Sequence, residues 1–370
     1  MRLVVCLLLL SIALASLAAS THAQFPLIYT TNLPATARAH AMAESGVSIV
    51  DFGLQGANPA TIGLVAVDNR AVVSFTPMYG RPYNEFIEDY TTLQFGGMAG
   101  IPLAATAKTP RLIAGIAYSY TRSETPTLIG YWDRTEEAMN QHRVTTSLAR
   151  SGMLEMAAGV SVVINDFDQN TGTSGVSGGG TSVNYDVGAI VRYHGFRASD
   201  DHVRVVPAIG LSYLGAGSDF DFASSVCPSC EETFPLEERF KAGASVALEY
   251  PHTDFGSTVI LVSADFESSK MGRSEDTLYR LGAEFGVTGI LTGRVGFVAQ
   301  DGLKPVNTWG VGAVPTAWVR KMARVDEIPE NNNALWQQLD LKVEYSRYED
   351  TGESPFSRGN WLNVTILWRR

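Results

Sequence analysis

Little in this chain invites a catalytic or metal-binding reading. There are three cysteines in 370 residues, and one of them, Cys6, falls in an N-terminal leader, so no disulfide framework can be built. The remaining histidines, at 40, 142, 194, 202 and 252, are scattered and none pairs at metal-ligand spacing. No metal and no cofactor is expected. Positive charge is not in excess: 28 Lys and Arg stand against 38 Asp and Glu, a net charge of −10. A nucleic-acid partner would need a basic footprint, and there is none. After Ala23 no stretch approaches the roughly 18 uncharged apolar residues of a spanning helix. Charge of either sign is scarce, at 18% of residues, against about 25% in an average soluble domain.

What is abundant is glycine (35 residues) and aromatic side chains (10%), with a mean hydropathy of +0.03. An apolar exterior and a polar lumen average to zero, so this composition suits a transmembrane β-barrel. Residues 1–23 read as an export signal. Arg2 supplies the positive start, Leu3 to Leu17 the apolar run, and Thr21-His22-Ala23 ends on a small residue, which places cleavage after Ala23.

Past Ala71 the hydrophobic period is two. Tyr279, Leu281, Ala283, Phe285 and Val287 share one face, while Arg280, Gly282, Glu284 and Gly286 share the other. The same alternation recurs at 240–250, 291–297, 339–346 and 362–368. Fourteen strands are expected, at 71–79, 90–100, 111–121, 142–150, 153–164, 182–193, 203–214, 236–250, 255–267, 276–287, 290–299, 306–313, 337–347 and 360–368. The count is even and lengths near 9–12 residues suit tilted membrane strands. The fold class is therefore all-β, a closed antiparallel transmembrane barrel spanning 71–370. Long external loops are expected at 122–141, 165–181 and 215–235, and tight turns at 151–152, 251–254 and 288–289. The connection 314–336 is long for the periplasmic side and carries either a short helix or an error in the strand count. Aromatic residues near strand ends, such as Tyr118, Tyr250, Tyr345 and Trp368, read as interfacial girdles.

Several short motifs are weaker than they look. Gly175-Val176-Ser177-Gly178-Gly179 fits G-x-S-x-G, but a nucleophile elbow needs a strand before it and a helix after it. This one lies in a Gly/Ser/Thr stretch, so no enzyme is inferred. Asp166, Asp168, Asn170 and Gly172 suggest a calcium loop, but positions six and twelve hold Thr171 and Ser177. Cys227 and Cys230 flank Pro228-Ser229 in an expected external loop. A zinc site would need two more ligands, so a local disulfide in an oxidising compartment is the expectation. On the polar strand faces lie charges of both signs, among them Arg280, Glu284, Arg294, Asp340, Lys342 and Glu344. Such residues can bridge strands and hold register, forming a lumen charge network.

Residues 24–70 show no alternation. Ala35 to Glu44 suits a short helix, Asn58-Pro59-Ala60 a turn, and Thr61 to Val67 an apolar run. This segment either hangs in the periplasm or folds into the lumen. The stretch Ala35–Val65, with Gly46-Val47 and then Asn58-Pro59-Ala60, resembles the N-terminal hatch of FadL-type outer-membrane proteins. Tyr279-Arg280-Leu281-Gly282-Ala283-Glu284-Phe285, followed by Leu291-Thr292-Gly293-Arg294-Val295-Gly296-Phe297, is similar to a strand pair of that superfamily, and most of all to its PorV-like branch. So is Trp309-Gly310-Val311-Gly312 followed by 339–345. The chain departs from the pattern in two places: Val50-Asp51-Phe52-Gly53 replaces a Gly-rich helix with paired Asp, and Arg369-Arg370 follow the terminal Trp368. The resemblance implies a bacterial outer-membrane protein passing small hydrophobic molecules passively, with Asn58, Pro59 and Ala60 as ligand or gate residues. The alternative it implies is a PorV-like secretion component or shuttle that binds secreted protein cargo. In either case the bilayer of the outer membrane is a partner.

Overall fold

The computed structural model describes residues 36–81, 90–104, 111–129, 133–171, 176–198, 203–224, 231–234, 236–252, 256–271, 274–287, 289–300, 305–322, 338–349 and 358–369. The leader at 1–23 and the pair Cys227 and Cys230 lie outside these residues. One sheet holds seventeen strands. They are β1 (Asn69–Arg81), β2 (Tyr90–Ala104), β3 (Leu112–Ile129), β4 (Asp133–Arg150), β5 (Leu154–Thr171), β6 (Val176–Tyr193), β7 (Phe196–Ala198), β8 (Val203–Gly217), β9 (Phe220–Ser224), β10 (Glu231–Phe234), β11 (Glu238–His252), β12 (Gly256–Met271), β13 (Ser274–Val287), β14 (Leu291–Gln300), β15 (Val306–Ala313), β16 (Leu339–Glu349) and β17 (Arg358–Arg369). Three α-helices, α1 (Ala37–Ala41), α2 (Thr61–Asp68) and α3 (Pro315–Met322), and one 3-10 turn (Phe52–Leu54) complete the described elements.

Fourteen of the strands form the wall of a closed antiparallel barrel. Closure is explicit in the pairing, since β1 bonds to β2 on one side and to β17 on the other. The other three are β7, beside the start of β8, and the hairpin β9–β10 above it. A closed sheet pairs backbone groups from strand to strand with no edge, which is the condition for crossing hydrocarbon without helices.

The distribution of side chains is the reverse of a water-soluble sheet. On β8, Ile209 (62% exposed) and Leu211 (54%) face outward, whereas Ala208, Gly210 and Ser212 are buried. On β14, Leu291 and Val295 are exposed while Arg294 between them is buried. Asp265, Glu267, Arg280 and Glu344 are buried too. Apolar surface of this extent facing water would be an aggregation liability. Facing lipid, it is the stabilising band.

Two expected external loops are strands instead. The β3–β4 ladder runs to Ile129 opposite Asp133, so most of 122–141 is paired. The β5–β6 ladder runs to Thr171 opposite Val176. Each of these four strands has 18 residues, or about 60 Å at ~3.3 Å per residue, well past the ~9–11 residues needed to span. The hydrophobic alternation of the sequence does not extend into these stretches, but the backbone ladder continues. The loop 215–235 likewise contains β9 and β10. Val176 to Gly179 belong to β6, so the G-x-S-x-G run has no strand-to-helix turn after its serine. The connection after β15 does carry a helix, α3. Arg320 of α3 donates to Leu339 O at 2.8 Å and pairs with Asp340, tying the helix to the start of β16, beside the end of β17.

Candidate functional site

Residues 36–68 cross the lumen and plug it. Their two helices are short, and α1 with five residues could not persist in water alone. The wall holds them. Thr36 caps α1 by accepting from Ala39 N, and Asp51 caps a single 3-10 turn, Phe52–Leu54, by accepting from Gly53 N at 2.9 Å. Between them Ala43 and Glu44 turn the chain with φ of 54° and 57°, a left-handed conformation unfavourable for side-chain-bearing residues. The turn is stabilised from outside: Arg280 donates to Ala43 O at 3.1 Å and pairs with Glu44 at 3.0 Å.

Two wall devices admit the plug. The first is a girdle of inward glycines that lets plug and wall backbones approach. A β-carbon would lie 2.7 Å from Ile62 O at Gly115, 2.6 Å from Pro59 at Gly159 and 2.6 Å from Ala41 Cβ at Gly310, and would collide with Val47 O at Gly210. The second is a set of wall hydroxyls that donate to plug carbonyls. Ser147 bonds Ala60 O (3.2 Å), Ser212 bonds Ala57 O (2.7 Å), Ser263 bonds Ser45 O (2.9 Å) and Thr308 bonds Ala41 O (2.8 Å). Buried plug carbonyls that no helix satisfies thus find partners, as burial demands. His40 is wholly buried. Its ring stacks on Trp361 at 3.4 Å and its Nδ1 bonds Ser346 Oγ at 2.8 Å.

Asn58 is the junction of the two arms of the plug. Its Nδ2 donates to Val47 O (2.8 Å) within the plug and to Ala189 O (3.1 Å) and Leu211 O (3.3 Å) on β6 and β8, while its Oδ1 accepts from Ala60 N (3.0 Å). Asn58 and Ala60 are fully buried.

The charges named from the sequence fall into three groups rather than one. Gly282, which abuts Met42 and Ser45 of the plug, separates two of them along β13. On the side of the β13–β14 turn, Glu284 pairs with Arg294 of β14 at 2.6 Å and with Arg38 of the plug at 2.8 Å. Arg294 also reaches Glu344 at 2.7 Å, over Gly312 of the intervening β15, and Lys342 pairs with Glu344 at 2.9 Å. Arg38 closes the set on Asp51 at 2.8 Å. On the side of the loops, Arg280 and Lys241 share Glu267 at 2.9 and 2.8 Å. Asp340 stands apart, with Arg320 and Arg369. Arg38, Glu44 and Asp51 were not singled out in the sequence. They lie in a segment without periodicity, and their wall partners Glu284, Arg280 and Lys342 are over 200 residues away.

Above the plug, on the loop side, a cavity of about 30 Å³ remains. Its lining includes Gln141, Arg143, Asn165, Asn184, Asp186 and Arg239. The wall is irregular here. β8 carries one extra residue against β6 between Tyr185 and Val187, with Gly215 at φ +80°, and Asp186 accepts from Gly215 N at 2.8 Å. Gly215 is where the left-handed backbone of a β-bulge needs glycine. Leu236 also lines the cavity, packed with Met139 and Phe167.

No family model and no curated protein matches the chain. Solved structures do. The toluene transporter TbuX of Ralstonia pickettii superposes with a TM-score of 0.51 at 13% identity, covering 92% of this chain and 99% of that one. This chain has a FadL-type fold. A FadL homologue of Pseudomonas aeruginosa (TM-score 0.48, 11% identity, 90% and 98% covered) and the translocator domain of the autotransporter NalP of Neisseria meningitidis (0.46, 13%, 82% and 88%) are also similar. The architecture of this chain is a wall of fourteen strands with a folded segment lodged inside.

Proposed function

We propose that this FadL-type barrel is a passive outer-membrane channel for small hydrophobic molecules. The observation that carries the reading is the plug. Residues 36–68 meet the wall from β1 round to β17 and leave no wide aqueous bore among the described residues, so the architecture suits selective passage of single small solutes rather than general diffusion. The likeness in fold to TbuX supports the same reading. In it, residues 1–23 export the chain, the loop end faces outside, and Asn58, Pro59 and Ala60 act as the gate. Asn58 links both plug arms to β6 and β8, so loosening that one amide frees the plug where the wall bulges. The charge groups hold the plug and wall in register. A secretion component or shuttle of protein cargo draws no support from TbuX.

The test is reconstitution of the full mature chain in liposomes. Toluene equilibrates faster into proteoliposomes than into empty vesicles, and ion conductance in planar bilayers stays far below that of an open porin. Protein that neither binds nor passes any hydrophobic solute would exclude the reading.

A further inference from the structure

A helix on the surface of a water-soluble protein buries its apolar side and solvates its polar one. Helix α3 does the opposite. The β15–β16 ladder stops at Ala313 opposite Val343, so residues 339–341 of β16 run on past it while still pairing with β17. α3 stands in for the missing strand. Val314 N donates to Ile290 O at 2.8 Å, which starts the helix beside the β13–β14 turn. Thr316 Oγ1 then accepts from Leu341 N at 2.9 Å, Arg320 donates to Leu339 O at 2.8 Å, and Arg320 pairs with the buried Asp340. Thr316 and Arg320 are four apart and share one side of the helix. Trp318 (54% exposed) and Val319 (53%) lie off that side and are open. The helix has the polarity of the wall strands, with charge turned to the protein and apolar groups turned away.

The surface beside it has a matching character. Leu339, which α3 holds, is the register partner of Trp368, and Trp368 ends the exposed row of Leu362 and Ile366 on β17. On β1 the register slips at Arg70, whose guanidinium lies 5.9 Å from the Trp368 ring, a cation–π distance. Arg369 reaches Asp340 at 2.5 Å with 59% of its side chain exposed. Three guanidiniums, of Arg70, Arg320 and Arg369, thus stand with one buried carboxylate, Asp340. Asp68, at the end of α2, also feels Arg369, although Arg192 acts on it more strongly. Positive charge stays in excess here, in a chain whose net charge is −10.

We propose that α3 and the adjoining ends of β16, β17 and β1 form a seat for the headgroup of an anionic phospholipid, in the leaflet at the turn end of the barrel. The proposal goes beyond solute transport and rests on that reading only for the placement of the barrel in a bilayer. Trp318 and Trp368 lie at headgroup depth, where amphipathic rings are favoured. Val319 and Ile366 meet the upper acyl chain. The phosphate takes guanidinium donors that Asp340 leaves over, since each guanidinium carries five and binds phosphate in a bidentate fork. Two observations favour lipid over a soluble partner. The open side of α3 adjoins the outward row of β17, which faces hydrocarbon in any bilayer. The local charge is opposite in sign to the headgroup, whereas the acidic remainder of the chain repels an anionic surface.

The test titrates the full mature chain in detergent with short-chain phosphatidylglycerol or phosphatidylcholine and reads retained lipid by native mass spectrometry. Alongside, the chain is reconstituted in vesicles of the two lipids, with and without bromine on the acyl chains. Arg70→Gln and Arg369→Gln are the charge variants and Trp318→Phe the fluorescence variant, each checked for folding by heat-modifiable mobility on gels. The wild type retains phosphatidylglycerol at least about fivefold over phosphatidylcholine, the scale of one basic side chain at an anionic lipid surface. The double charge variant brings that ratio close to one, and Arg70→Gln alone lowers it. Bromine quenches tryptophan emission, and the difference between wild type and Trp318→Phe gives the share of Trp318, which is quenched. Equal retention of both lipids by the wild type, a ratio unchanged in the folded charge variants, or a Trp318 share that escapes bromine overturns the proposal. Quenching of the other tryptophans with Trp318 spared removes the seat and leaves the barrel in its bilayer. Escape of all the emission from bromine removes the bilayer placement itself, and the transport reading with it.

Discussion

Single side chains in this barrel carry unusual weight because so many charges are buried together. Glu284 is the anion between Arg38 of the plug and Arg294 of the wall. Breaking a buried pair by removing one partner leaves an uncompensated charge, at a cost of about 3–5 kcal/mol. Glu284→Gln is therefore expected to lower the urea midpoint of the folded barrel and to make the plug accessible to protease before the wall opens. Urea titration with gel mobility, run beside limited proteolysis, checks both. Alternation had already put Glu284 and Arg294 on one face, and the register sets them directly opposite each other. Arg38 could not be read in the same way. Nothing near it in the chain points to β13, and only folding brings together residues 246 positions apart.

The plug responds to changes at its contacts with the wall. Gly210→Val places a branched side chain where Val47 O lies. Overpacking of this kind costs about 1–3 kcal/mol. The wall pairs through its backbone and tolerates the change, so the plug is what gives way. The expected outcome is a barrel with unchanged heat-modifiable mobility and a raised single-channel conductance in planar bilayers. An unchanged conductance would mean the plug adjusts without unseating. Acidity acts on the same element through His40, which sits in the plug and not in a spanning strand. Burial pushes its imidazole well below the usual range near 6.5. The folded plug then binds fewer protons than the unfolded chain, so its contribution is full above about pH 6.5. As pH falls below that value the docked plug loses up to about 1.4 kcal/mol per unit. Proteolysis of the plug should accelerate between pH 7 and pH 5, and His40→Gln should flatten that profile.

Considered whole, the molecule is a shell with an apolar outer face around a filling that packs apolar side chains and pairs its buried charges. That arrangement makes a combined transport assay the decisive measurement: faster entry of small hydrophobic solutes with little ionic current. Removal of residues 36–68 should reverse the pattern, raising current while abolishing selectivity among solutes. Deletion that leaves current unchanged would show that the plug is not what closes the bore.

Much of this architecture was legible before any coordinates. The wall strands follow from a two-residue period because each strand meets lipid on one side and a polar interior on the other, and that contrast is written locally in residues such as 279–287. The period fails in the outer halves of β3 to β6, although the backbone ladder persists there. The plug is different in kind. Its position depends on a girdle of glycines and hydroxyls drawn from strand after strand, of which pairs such as Gly210 with Ser212 and Thr308 with Gly310 were the faint trace. A glycine announces nothing about what will lean on it. Local chemistry could therefore specify that a barrel forms and which faces look inward. Where residues 36–68 settle, which charges meet, and what cavity is left above them depend on contacts across hundreds of residues, and closure of the barrel is what creates them.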